Sequence, residues 1–281
     1  MTGPAFFRLG QDGEVLLPEP ISGSGWDGGQ LRGMAVSGAL ARATEQVVSS
    51  LRMENLRPAR FTLDLYKPAL QVPTIISTNV VRQGRRLCLV DAAFVQGGKP
   101  VARSVTLYLK AGETPSGAVW SPGRHPVPPP HHLRPEAEDL RLYYGEEAGW
   151  SPTPSAQHSA DRKQSWHFAM PIVEGEPLTP FQMAASIADV SNVVSNWGSG
   201  GLQFINADVT LALARLPTEL EFGLSAVDRV EADGLSVGTA VMFDRAGVFG
   251  TTTVLGLANA LRSVDPRTRA RLVGHEAAPI A

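Results

Sequence analysis

The chain has 281 residues, 43% of them apolar, and a formal net charge of −2. That length fits one large domain or two of ordinary size, and that apolar fraction supplies a sizeable core and excludes a disordered chain. The near-neutral balance excludes the electrostatic footprint of a nucleic-acid or acidic-membrane binder, and the short basic clusters Arg82–Arg86 and Arg262–Arg271 read as solvated turn and tail.

The one cysteine, Cys88, excludes a disulfide framework within the chain; set in the apolar stretch "RRLCLVDAAF", it reads as a small buried hydrophobe. No run approaches the ~18 apolar residues of a membrane span, and the start has no basic stretch leading into an apolar one. The expectation is a cytoplasmic protein with no membrane insertion.

In chain order, residues 5–22 read as a short strand and turn, with Asp12–Gly13 as the tight-turn signal. A helix is expected from about Gly29 to Leu51, broken off by Arg57–Pro58. Four strand-like runs follow: "ARFTLDLYKP", "TIISTNVVRQG", "RRLCLVDAAFVQGG" and "KPVARSVTLYLK". Rich in β-branched residues and separated by short glycine turns, they predict an antiparallel sheet of hairpins. Residues 112–162 are dense in proline and read as a linker, with His131–His132 lacking the spacing or companions of a metal site.

Then the order repeats. "QSWHFAMPIV" predicts a strand, and "TPFQMAASIADVSNVVSNW" a helix capped by Thr179 with Pro180 at its first position. Four more strand-like runs extend to about residue 261. Strand, helix and four strands in two copies of about 100 residues is the main organisational signal. The division is 1–111 and 163–265 for the two units, 112–162 for the linker and 266–281 for a tail.

The first helix is apolar almost all round, with Leu31, Met34, Val36, Leu40, Val47 and Val48 among small residues. It exceeds the ~100° stripe of a surface helix, so one curled sheet must wrap it. Its glycine-rich start would leave helix-terminal N–H groups open to a carbonyl oxygen or an anion.

The segments "GWDGGQLRGMAVSGALARATEQ", "RPARFTLDLYKPALQVPTIISTNVVRQGRRLCLVDAAFVQGGKPVARS", "ASIADVSNVVS" and "FINADVTLALARLP" carry a resemblance. The chain resembles the thioesterase-like superfamily related to acyl-CoA thioesterase II, over about 20–110 and 163–260. The resemblance implies an α+β double hotdog, two tandem units that each wrap a central helix in an antiparallel sheet. It implies an acyl-CoA or other acyl thioester as small-molecule substrate, with no metal and no cofactor. A homo-oligomer stays open. An Asp on the second central helix is the family's main functional group, and Asp189 in "ASIADVSN" matches it. An assisting hydroxyl or amide on the next strand matches Asn206 in "FINADVT". A third member, a Gln on the last strand, falls at Val254 or Leu255 and is absent.

The residues themselves also single out Asp189. Gln182, Ser186 and Asp189 share one face of a helix that is mostly apolar, and Asn192 and Asn196 extend its polar surface. A carboxylate there is costly unless hydrogen-bonded. It either orients and activates a water, or caps or pairs with a group from the other half. As general base it would act on the water that attacks the thioester. N–H groups at Gly28, Gly29 and Gln30 would stabilise the developing oxyanion, and an apolar slot between the halves would hold the acyl chain. Gly33, Ser186 and Thr210 complete the substrate-binding candidates. No G-x-S-x-G elbow, phosphate loop or dinucleotide fingerprint is present. Two alternatives remain: a hotdog that binds an acyl-CoA or acyl-carrier thioester without turnover, and a hotdog hydratase or dehydratase.

Overall fold

The structure is a computed structural model, and it describes residues 4–25, 29–121, 125–136, 140–154 and 159–259. A hairpin opens the chain, β1 (Phe7–Leu9) on β2 (Leu16–Pro18). Asp12 Oδ1 accepts from the N–H groups of Glu14 and Val15 and so closes its turn.

Helix α1 (Gly33–Ser50) follows, then β3 (Leu56–Leu65), β4 (Ile75–Gly84), β5 (Leu87–Gln96) and β6 (Lys99–Lys110). The four expected strands are present within a few residues of their predicted ends. Pro58 is accommodated inside β3 at a register shift between Pro58 and Arg60, where a missing donor does not break the ladder. Inward residues alternate along β5: Cys88, Val90, Ala92 and Phe94 are buried, and burial pushes the Cys88 thiol up.

The proline-rich stretch holds two short strands, β7 (Arg141–Gly145) and β8 (Gly149–Ser151). They pair with each other and, through β7, with β9 (Gln164–Phe168). Leu142, Trp166 and Phe243 form a separate small core that anchors them.

The second half continues with α2 (Pro180–Ala188), α3 (Ser191–Asn196), a two-residue ladder of β10 (Trp197–Gly198) on β11 (Gly201–Leu202), β12 (Phe204–Asn206), β13 (Asp208–Leu213), β14 (Glu221–Ala232), β15 (Leu235–Asp244) and β16 (Gly247–Ala258). One large antiparallel sheet results, in the order β4-β5-β6-β3-β13-β16-β15-β14-β9-β7-β8, with β12 added on β16. The two units join edge to edge where β3 pairs with β13. This is the double hotdog: α1 packs against β4, β5 and β6, and α3 against β14, β15 and β16, with α2 between α1 and β13.

Helix α1 buries Met34 through Thr44 without interruption. Each fully buried aliphatic side chain there is worth about 1.5–3 kcal/mol. The two helices approach closely because Gly38 has no side chain; a Cβ at that position would stand 3.2 Å from Ile172 Cγ1 and 3.4 Å from Ser186 Cβ. Polar bonds lock the seam, Ser37 Oγ donating to Ala185 O (2.6 Å) and Ser186 Oγ to Met34 O (2.9 Å).

Candidate active site

The second central helix is not continuous. It stops at Ala188 and resumes at Ser191. Between them Val190 N–H reaches back three residues to Ile187 O (2.9 Å), and the Ser191 hydroxyl takes Ala188 O at 2.6 Å. A serine that bonds to the backbone of the preceding turn competes with the regular helix ladder. The interruption falls at Asp189 and directs its side chain toward α1.

There the carboxylate meets the start of the other helix. Asn206 Nδ2 donates to Asp189 Oδ1 at 2.8 Å, and the backbone N–H of Met34, at the first turn of α1, favours the charged carboxylate. Burial raises the Asp189 pKa to about 6; Asn206, the Met34 N–H, Arg141 and Arg32, in that order, pull the other way. The residue keeps part of its surface accessible.

Asn206 reaches this place through a bulge. On β12 it stands opposite Gly256, whereas Thr210 on β13 stands opposite Thr253, so four steps on one strand match three on its neighbour. One extra residue reverses the side-chain phase. Asn206 thereby turns to the helix side of the sheet, the side on which Val209 and Leu211 are buried. Thr210 faces the opposite way, beside Thr62 and Thr253, so the structure does not bring it to Asp189.

The other expected site residues divide. Gly33 lies against the carboxylate; a Cβ there would stand 2.6 Å from Asp189 Oδ2 and closer still to Oδ1. Ser186 belongs to the seam, one turn earlier on α2. Gly28 lies outside the described residues. Gly29 and Gln30 are not part of the helix start, which comes at Gly33. They run extended beside residues 69–71, where Gln71 N–H donates to Gly29 O (2.9 Å) and Leu31 N–H to Ala69 O (2.7 Å). That pairing consumes the backbone that a longer helix would need. The seam between the helices is not an open slot, since Ile172, Ser37 and Ser186 fill it. A groove of about 650 Å³ runs instead along the end of α3, lined by Asn196, Trp197, Gln203, Phe204 and Arg229 among others. Phe204 is two residues from Asn206 on the same strand.

Residues 23–109 match the family model of the acyl-CoA thioesterase N-terminal domain, and residues 115–257 that of the acyl-CoA thioesterase C-terminal domain. The chain belongs to the acyl-CoA thioesterase family. Solved structures share the thioesterase double-hotdog fold at low identity. A tesB protein from Mycobacterium avium subsp. paratuberculosis has a TM-score of 0.62 at 15% identity, covering 89% of this chain and 94% of that one. An acyl-CoA thioesterase II, TesB2, from Mycobacterium marinum has 0.59 at 17%, covering 82% and 91%. A hotdog-fold protein of unknown function from Alicyclobacillus acidocaldarius has 0.58 at 15%, covering 89% and 95%. No curated protein sequence matches the chain.

At the place where a thioesterase Gln is expected, β16 carries the buried Val254 and Leu255, which is 46% exposed. Two side chains near the site, and a third at the far end of the helix seam, escaped the sequence reading. Arg32 precedes α1 and donates through Nε to Gly23 O (3.0 Å). Arg141 comes from β7 and brings Nη2 to 4.0 Å from Met34 Sδ. Glu45, on α1, holds a reciprocal place at the start of α2: Thr179 Oγ1 (2.7 Å) and Gln182 Nε2 (2.9 Å) both donate to its Oε2. Burial pushes Glu45 up, with Thr179 and Gln182 opposing. Each helix thus presents a carboxylate to the beginning of the other. The interhelical spacing in Gln182, Ser186 and Asp189 was a readable signal for this seam; Glu45 offered none beyond its charge. No helix among the described residues is long and apolar enough to cross a membrane, and none of their side chains group as a metal site.

Proposed function

We propose that this chain hydrolyses an acyl-CoA thioester, with Asp189 as general base and Asn206 as the residue that fixes its carboxylate. The observation that supports this most is the Asp189–Asn206 pair at the start of α1. A carboxylate with a pKa of about 6 is ionised at neutral pH and still basic enough to take a proton from water. Water gives its proton to Asp189 while its oxygen bonds to the thioester carbonyl carbon. The tetrahedral intermediate then expels sulfur; the C–S bond breaks, and the proton on Asp189 passes to the departing thiolate. The products are a carboxylic acid and free coenzyme thiol.

The groove beside Phe204 is the place proposed for the coenzyme arm. Its volume lies in the range of ligand sites, and Asn196, Gln203 and Arg229 give it a more polar lining than an alkyl chain requires. A second reading, thioester binding without turnover, is favoured by one observation, the apolar pair Val254–Leu255 where the family Gln would hold the water. It also draws on the place of Asp189 against Gly33, the first residue of α1, where a carboxylate has a structural duty toward the helix start.

Thiol release from a panel of acyl-CoAs tests the choice. Hydrolysis that falls by at least about 100-fold in Asp189→Asn supports the base. Saturable binding with no turnover at any chain length supports the second reading, and turnover untouched by the substitution removes Asp189 from the mechanism.

A further inference from the structure

We propose that Asn192 is a positioning residue for the site: oriented by Asn196 and Arg229, it fixes the strand that carries Asn206 and thereby sets Asn206 against Asp189. The proposal rests on the reading of Asp189 as the base.

Strand β12 needs such a hold. It has only three residues, Phe204–Asn206, and among the described residues it pairs with β16 alone. A strand that short, next to a bulge, has one edge with no ladder to fix it. Gln203 O accepts from the Asn259 N–H at 2.7 Å, so the next carbonyl, that of Phe204, points away from β16. Asn192 Nδ2 donates to Phe204 O at 2.9 Å and supplies the bond that a second neighbouring strand would otherwise make. Asn192 is 3% exposed and stands in the first turn of α3, with its N–H 3.4 Å from Asp189 O. The helix junction therefore grips β12 twice from positions three residues apart. Asp189 holds the Asn206 side chain, and Asn192 holds the Phe204 backbone.

The Asn192 amide is itself held in one orientation. Asn196 Nδ2 donates to Asn192 Oδ1 at 2.9 Å, and Arg229 Nε donates to Asn196 Oδ1 at 2.9 Å. A guanidinium can only donate and a backbone carbonyl can only accept, so the two amides between them have a single consistent direction. The Arg229 guanidinium, which also pairs with Glu231, lies 5.2 Å from the centre of the Phe204 ring, so the chain of contacts returns to the strand it secures. Asn196 and Arg229 line the groove, and Asn192 is not part of that lining. Its loss should therefore act on the geometry of the base and leave the groove's contacts in place.

The experiment measures kcat and KM for acyl-CoA hydrolysis against pH in wild type, Asn192→Ala, Asn206→Ala and the double variant, and follows the Asp189 carboxyl carbon by NMR titration in each. Asn192→Ala is expected to lower kcat by about threefold to tenfold near pH 6.5 with KM kept within about twofold. A loosened Asn206 donor should also move the Asp189 midpoint and the acidic limb upward. Among the described residues, the charged side chains acting on Asp189 are Arg141 of β7 and Arg32 before α1, and both are the same in every variant. The double variant is expected to match Asn206→Ala, because Asn192 acts through Asn206. Losses that multiply in the double variant overturn the proposal, as does an Asp189 midpoint that stays in place or an equal loss of kcat at every pH. If Asn192→Ala does not fold, Asn196→Ala keeps the donor to Phe204 O, frees its orientation, and is judged by the same cycle and titration. A chain without hydrolytic activity would refute the thioesterase reading, while the carboxyl titration would still decide the role of Asn192.

Discussion

Gly33 and Asp189 occupy adjoining space. The carboxylate from the second hotdog fills the position where a side chain on the first residue of α1 would begin, with Oδ2 2.6 Å from the point a Cβ would take. The glycine is therefore needed for room at a helix start where alanine would otherwise be the better helix former. Gly33→Ala is expected to push the Asp189 side chain off Asn206 and away from the start of α1. Thioester hydrolysis should drop by roughly 100-fold, and overpacking should cost about 1–3 kcal/mol of stability. Thiol-release kinetics and denaturant unfolding check the pair; full activity in Gly33→Ala would show that the carboxylate has slack.

Asp189 also sets a pH dependence of stability. Its folded pKa of about 6 lies above the ordinary carboxyl value near 3.9. The folded state therefore holds this proton more tightly than the unfolded state. The associated stability is fully present below about pH 4 and is lost as pH rises through about 6, amounting to roughly 2–3 kcal/mol. Asp189→Asn removes the ionisation, so its unfolding free energy should lose this slope between pH 4 and 6. At pH 8 it should match or exceed wild type while lacking hydrolysis. Urea unfolding at pH 4.5, 6 and 8 measures it; a variant less stable than wild type at pH 8 would mean that the charge is net favourable there.

The sheet was readable from sequence because alternation and β-branched content report directly on a half-buried strand, as along β5, β13 and β15; β4, exposed over nearly its whole length, was readable from its β-branched content and glycine turn alone. Asp189 was readable because a charge within the apolar run "MAASIADVSNVV" is an anomaly at one position. What could not be read depends on contacts between distant segments. The glycines at 28, 29 and 33 look alike in the sequence, and only pairing with residues 69–71 decides that the helix waits for Gly33. Asn206 reaches the helix side through a single extra residue against β16, and a bulge leaves no mark in composition. Arg141 lies in "LRLYYGEE", too short a strand to stand out after so much proline, and its place beside Met34 spans 107 residues of chain.

Glu45 tests whether the reciprocal carboxylate is a second reacting group or a strut. Both of its hydrogen bonds converge on Oε2, which the carbonyl oxygen of a glutamine can replace. Glu45→Gln is expected to leave hydrolysis unchanged and to keep or slightly raise the melting temperature above neutral pH, since burial disfavours the charged acid. Glu45→Ala is different: it strips Thr179 and Gln182 of their shared acceptor at the start of α2. A loss of about 1–3 kcal/mol is expected, with kcat falling only as the α1–α2 seam loosens. Loss of turnover in Glu45→Gln at unchanged stability would make Glu45 a participant in the chemistry.

Asn206 separates charge from geometry at the base itself. It contributes the largest pull against burial on the Asp189 carboxyl. Asn206→Ala removes that donor, so the Asp189 pKa should rise above about 6. The acidic limb of kcat/KM should move up with it, costing about tenfold near pH 6.5 and less at pH 9. Asn206→Asp places a second carboxylate at the 2.8 Å contact, where two like charges cannot both be ionised. One proton is then shared by the pair, and the base is occupied at neutral pH. Hydrolysis should be nearly abolished at pH 7 and partly regained above the pair's upper pKa. A plain pH–rate series on the two variants distinguishes them from a loss of packing, which would lower both curves equally at every pH.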